Sequence, residues 1–137
     1  MNAKLTFKQS ILAGLTAGAV SAVINAILFF IFHAAGIIVD TIFVQPNEPL
    51  TVILVIISSI VPSIIASIVF FLLEKFTNNG FKIFSIVSII LMLLSFMNPF
   101  MGIPNVTVAY GVALDVMHIV VALAILYFIQ RAKKSNA

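Results

Sequence analysis

Residues 49–73, PLTVILVIISSIVPSIIASIVFFLL, contain no Asp, Glu, Lys or Arg. A helix needs about 20 apolar residues to cross the roughly 30 Å hydrocarbon core of a bilayer, and this stretch is longer. Tracts such as residues 53–57 do not alternate between apolar and polar side chains, as strands of a transmembrane barrel do. The stretch therefore predicts a membrane-spanning α-helix.

The same pattern recurs along the chain. Residues 9–39 are also free of charged side chains, and residues 83–130 contain a single acid and have room for two crossings. Only 8% of all residues are charged, against about 25% in a water-soluble domain. We predict one membrane domain, residues 1–137, folded as an all-α, four-helix transmembrane bundle with up-down topology. Its spans are expected at about 9–33, 50–73, 81–97 and 107–130.

The connections between these spans contain turn-forming residues and set the orientation. Pro and Asn residues mark the breaks at 45–49, 77–80 and 98–105. Every Lys and Arg lies before span 1, around the second break or after span 4. With four spans, all of them fall on one side, which the positive-inside rule places in the cytoplasm. We expect both termini in the cytoplasm. The apolar first connection, between spans 1 and 2, is expected to lie in the membrane interface or to cap the bundle.

Several classes of function have no support in the sequence. There is no cysteine, and the usual motifs of metalloproteases, serine hydrolases and nucleotide-binding enzymes are absent. We therefore expect no enzyme, no metal site and no cofactor. The few basic residues are too dispersed for nucleic-acid recognition, so the expected partners are membrane lipids and a possible homodimer or membrane-protein partner.

Small residues recur every four positions in span 1: Gly14, Gly18, Ala22 and Ala26. This spacing allows helix backbones to approach closely in lipid. The stripe predicts helix packing, either in a dimer seam or, as the favoured interpretation, against another span of the same bundle.

Span 2 carries a polar stripe beside a proline. Ser59, Ser63 and Ser67 share one face, and Pro62 lies among them. A proline inside a helix removes one backbone hydrogen bond and commonly produces a kink. The kink either opens a ligand cavity or is simply tolerated, the second being the more common case.

Span 4 contains the one acid that lies inside an apolar run, Asp115, and His118 three residues later. This separation places both on one helical face. An intramembrane acid is costly and marks a functional-site hypothesis. The pair is either a proton relay or a hydrogen-bonded clamp that holds span 4 in the bundle.

Helix rise places several polar residues at similar depth in the outer half of the membrane. The predicted polar layer consists of Asn25, Ser59, Ser63, Ser88, Asp115 and His118. Such a layer either forms a ligand or proton site, or it holds the helices together through hydrogen bonds.

The short basic N-terminus, the Gly14 and Gly18 of a Gly/Ala-rich first span, and Met117-His118 in the last span carry a resemblance. The chain resembles a family of small, uncharacterised bacterial membrane proteins with four spans. That resemblance implies a bacterial cytoplasmic (inner) membrane and a domain of unknown function, with no activity to transfer.

Two functional hypotheses follow. The first is a non-enzymatic binding or accessory protein with a polar intramembrane layer around Asp115 and His118. The alternative is a dimeric, proton-coupled small-molecule transporter that uses the same two residues.

Overall fold

The computed structural model describes residues 3–137, which form four long helices, one short helix and a small β-hairpin. In chain order these are α1 (Phe7–Ala34), β1 (Phe43–Gln45), β2 (Glu48–Pro49), α2 (Val52–Phe76), α3 (Gly80–Ser95), α4 (Asn98–Gly102) and α5 (Val108–Ser135). The predicted all-α, four-helix architecture is confirmed.

Threonines define where three of the long helices begin. The Thr6 side chain caps α1 and forms a capping box with Gln9. Thr51 and Thr107 cap α2 and α5 by accepting hydrogen bonds from the backbone N–H groups of Leu54 and Tyr110. A hydroxyl at each start satisfies one of the free N–H groups that every helix exposes there.

The ends of the helices differ from the predicted spans. Helices α2 and α5 continue through their charged last turns to residues 76 and 135, because lysines in a last turn interact favourably with the helix dipole. Helix α3 ends early, at Ser95, and α4 follows with Pro99 near its start. The third apolar segment is therefore the broken helix Gly80–Gly102.

Four segments are long and apolar enough to cross a membrane: Phe7–Ala34, Val52–Phe76, Gly80–Gly102 and Val108–Ser135. Large apolar side chains such as Val23, Ile53 and Leu94 lie on the outside, each more than 60% exposed. Ser21, Asn25 and other polar side chains lie inside. Because this distribution suits lipid rather than water, the chain is an integral membrane protein.

Helices α1 and α2 form the most extensive helix–helix contact of the bundle. A Cβ atom on Gly14 would lie 2.5 Å from Cβ of Ser67, and one on Gly18 would lie 3.0 Å from Cα of Ile60. The glycine stripe of α1 is thus covered by the serine stripe of α2 within one chain. Ala22 is buried and Ala26 is half-buried on α1.

The β-hairpin closes one end of the bundle, called here the hairpin end. Its turn contains Asn47 with φ of 62°, a left-handed conformation that asparagine tolerates better than most residues. Ile38 and Ile42, in the connection before β1, are buried with Phe29 and Tyr110. The apolar first connection therefore caps the helices.

Side-chain hydrogen bonds tie the opposite end together, called here the terminal end because it holds both ends of the chain. Lys4 Nζ donates to the Thr77 carbonyl over 3.3 Å. Gln9 Nε2 donates to Asn136 Oδ1 over 3.0 Å. These bonds join the start of α1 to the ends of α2 and α5.

The close contact between α1 and α2 predicts that two Gly→Ala substitutions differ sharply in their effect on stability. Gly14→Ala places a methyl group 2.5 Å from the Ser67 side chain and 2.8 Å from the Ser63 carbonyl. Overpacking of this kind costs about 2 kcal/mol of unfolding free energy. Detergent-induced unfolding, followed by circular dichroism, measures the loss.

Gly102→Ala is the matched control, since its methyl group would meet only Asn98 Oδ1 at 3.4 Å. Equal stability of the two variants would contradict close α1–α2 packing.

Candidate functional site

Asn25 is the polar residue that joins three helices. It is 2% exposed on α1, and its Nδ2 donates to Ser59 Oγ on α2 and to the Met117 carbonyl on α5, both over 3.1 Å. A carbonyl only accepts hydrogen bonds, so the amide nitrogen must face Met117. This orientation leaves Asn25 Oδ1 buried with no hydrogen-bond partner among the described residues.

The serines of α2 satisfy their own hydroxyl groups. Ser59 Oγ donates to the Val55 carbonyl over 2.9 Å, and Ser63 Oγ donates to the Ser59 carbonyl over 2.7 Å. Their donors are thus occupied within the helix, as is common for mid-helix serine. They contribute acceptors, not donors, to any further contact.

A cavity of about 130 Å³ lies between α1, α2 and α5 next to this amide. Polar residues form one part of its wall and apolar residues the rest. The lining consists of Asn25, Ser58, Ser59 and His118 with Leu50, Val55, Leu114, Met117 and Val121. The cavity lies roughly 14 Å from the end of α1, in the half of the bundle next to the hairpin end.

His118 presents an acceptor in its neutral form. Its Nδ1 lies 2.8 Å from the Leu114 carbonyl, one turn earlier on α5. Because that carbonyl cannot donate, Nδ1 carries the hydrogen, and Nε2 of the neutral ring holds a lone pair. His118 is exposed and lines the cavity.

Pro62 lies inside α2, which continues on both sides of it. A proline has no N–H group, so the Ser58 carbonyl, four residues earlier, loses its helical hydrogen bond. Ser58 is a wall residue of the cavity. Pro62 itself is exposed and does not line the cavity.

Three members of the predicted polar layer do not line the cavity: Ser63, Ser88 and Asp115. Asp115 is half-buried, is not a wall residue, and makes no hydrogen bond to His118. Its Oδ1 is buried, and no donor from residues 3–137 reaches it. Ser88 is half-buried on α3 and joins neither hydrogen bond of Asn25.

The most deeply buried charge is one that the sequence analysis missed. Glu74 of α2 is 4% exposed and forms an ion pair with Lys133 of α5, whose ammonium group also lies 6.0 Å from the centre of the Phe70 ring. Glu74 follows the predicted span, so its charge looked solvated in the sequence. The partners are 59 residues apart, and no local spacing signals the pair.

The cavity can recognise a ligand through hydrogen-bond acceptors that are surrounded by apolar side chains. Within the part of the chain that the structure describes, no three His, Cys, Asp or Glu side chains are grouped so that they could hold a metal ion. The fold and the cavity define a small, four-helix integral membrane protein with a partly polar cavity between its helices.

Comparison with known families assigns the chain to a family of unknown function. The model of DUF6069, a family of unknown function, matches residues 6–135, and the chain belongs to this family. The expected likeness to a family without an assigned activity is thereby confirmed. No curated protein and no solved structure matches the chain.

The variants Asp115→Leu and Asn25→Leu distinguish the structural roles of these two polar residues inside the helix bundle. Because no donor reaches Asp115 Oδ1, the substitution removes a buried polar group without breaking a hydrogen bond. We expect the unfolding free energy to rise by about 2 kcal/mol, given the cost of an acid within a membrane helix. Unfolding in a detergent titration measures the change.

Asn25→Leu is the comparison, because it removes both interhelical hydrogen bonds and should lower the unfolding free energy by about 1 kcal/mol. Loss of stability in Asp115→Leu would instead support the clamp.

Lys133→Met tests the buried ion pair at the terminal end. Removing the ammonium group leaves Glu74 buried without its counter-ion, which should cost about 3 kcal/mol of unfolding free energy. The double variant Glu74→Gln/Lys133→Met should recover most of that loss. Lys134→Met, an exposed neighbour, serves as the control, and an equal loss there would refute the assignment.

Proposed function

We propose that this protein is a non-enzymatic membrane protein that binds a small amphipathic molecule in the cavity between α1, α2 and α5. The observation that carries the proposal is the unpartnered Oδ1 of Asn25, a residue that is 2% exposed and lines the cavity. A buried polar atom without a partner costs free energy, and a ligand that donates a hydrogen bond removes that cost.

The acceptors at the cavity specify the polar end of the ligand. Asn25 Oδ1 and Nε2 of a neutral His118 both accept hydrogen bonds. A primary amine or an alcohol supplies donors for them, whereas a carboxylate supplies none. The apolar wall, with Val55, Leu114 and others, suits a short hydrocarbon chain attached to that donor.

The proposed orientation places the terminal end in the cytoplasm. All seven Lys and Arg residues belong to the segments that meet at this end, and the positive-inside rule supports its assignment. Both termini are then cytoplasmic, and the cavity lies in the outer half of the membrane. A bacterial inner membrane is part of the same proposal and rests on the resemblance alone.

Proton-coupled transport has less support than binding. A relay between Asp115 and His118 needs the two groups to exchange a proton, and no hydrogen bond joins them. Asp115 is also not a wall residue of the cavity. Flux that depends on pH in reconstituted vesicles, and that Asp115→Asn abolishes without loss of folding, would favour transport over simple binding.

A matched set of six-carbon ligands tests the proposed binding. We expect hexylamine and hexanol to raise the thermal unfolding midpoint of the detergent-solubilised protein, and hexanoate to leave it unchanged, because only the first two donate to the cavity acceptors. Ser58→Phe should abolish the shift by filling the cavity from its exposed side.

Ile57→Phe adds the same ring at an exposed position that does not line the cavity, so it should retain the shift. Equal shifts with all three ligands, or a shift that persists in Ser58→Phe, would contradict the proposal.

A further inference from the structure

A second concave surface lies at the terminal end, on the outside of the bundle between α1 and α5. It is a groove of about 440 Å³, separate from the cavity near Asn25. Its walls are Leu5, Gln9, Leu12, Ala13 and Thr16 from the first helix and its lead-in, and Phe128, Arg131, Ala132 and Ser135 from α5.

The composition of the groove changes with depth. Gln9, Arg131 and Ser135 lie near the terminal end, together with Leu5, which is buried. Leu12 and Phe128 lie further along the helices, and Thr16, whose hydroxyl donates to the Leu12 carbonyl, lies at the inner end. From Gln9 to Thr16 the groove extends roughly 10 Å along α1 at 1.5 Å per residue. A polar, cationic mouth above an apolar slot matches the junction between a lipid headgroup and its acyl chains.

Most polar groups at the mouth are already engaged, but Arg131 is not. Gln9 bonds Thr6 and Asn136, and Ser135 Oγ donates to the Ala132 carbonyl. Within residues 3–137, no acidic side chain forms an ion pair with Arg131. A guanidinium group offers several donors in a planar arrangement that matches the oxygens of a phosphate.

The surrounding charge favours an anion. The seven basic residues belong to this end, and its one acid, Glu74, is buried and paired with Lys133. Basic pockets between transmembrane helices are known to bind the headgroups of anionic lipids, which supplies the physical precedent.

We propose that the groove between α1 and α5 binds one anionic phospholipid from the leaflet that meets the terminal end. The phosphate contacts Arg131, and the upper part of an acyl chain lies against Leu12, Ala13 and Phe128. The site is independent of the cavity near Asn25, so either proposal can fail without the other.

Native mass spectrometry of the detergent-solubilised full-length chain tests the site, with phosphatidylglycerol and phosphatidylcholine of identical acyl chains as probes. We expect one phosphatidylglycerol to bind at least fivefold more tightly than phosphatidylcholine. Arg131→Gln should remove that preference, because one basic side chain near the surface contributes about a fivefold effect. Lys134→Gln is the control, since Lys134 is exposed at the end of the same helix and does not line the groove.

A second pair of variants tests the apolar slot. Thr16→Phe places a ring in the groove and should lower phosphatidylglycerol occupancy, whereas Leu15→Phe, at an exposed neighbouring position, should not. Glycerol phosphate, which has the headgroup charge but no acyl chain, should not compete.

Three outcomes would overturn the proposal. The first is equal weakening by Arg131→Gln and Lys134→Gln, which would indicate diffuse attraction to the basic end. The second is unchanged lipid selectivity in Arg131→Gln. The third is full competition by glycerol phosphate, which would assign the mouth to a soluble phosphate compound.

Discussion

The close approach of α1 and α2 is the constraint on which the rest of the structure depends. Gly14 and Gly18 leave no room for side chains, so the serine face of α2 lies directly against the α1 backbone. In lipid, packing of this kind replaces the hydrophobic effect as the force that holds helices together. The seam fixes the register of the two helices and therefore the height at which Asn25 meets Ser59.

That register explains why the interior is polar although most of its polar groups are not available for a further hydrogen bond. The hydroxyl groups of Ser59 and Ser63 donate hydrogen bonds to carbonyls of their own helix. The serine stripe therefore packs almost like alanine. Asn25 is different, because its amide has more hydrogen-bonding capacity than the seam can satisfy. Its Oδ1 is the surplus acceptor, and Asn25 lines the cavity between α1, α2 and α5.

The parts of the structure that sequence predicts well are those governed by one-dimensional patterns. Uncharged runs such as residues 49–73 predict helices directly, and helix rise places Asn25 and Ser59 at one depth. The rotation of each helix about its own axis is harder to predict, because residues on the same helical face can contact different neighbouring elements. His118 lines the cavity and Asp115 does not, although three residues separate them. The pairing of Glu74 with Lys133 depends on how α2 and α5 meet, which no local pattern encodes.

The last turns of α5 divide their charges between two tasks. Lys133 turns inward and compensates Glu74, while Arg131, two residues earlier and about 160° around the helix, borders the outer groove. The inward charge is structural, because an acid buried between α2 and α5 requires a counter-ion. The outward charge has no acidic ion-pair partner among the described residues, and it borders the groove at the terminal end. A single helix end can therefore hold the bundle together and still present a cation on its outer surface.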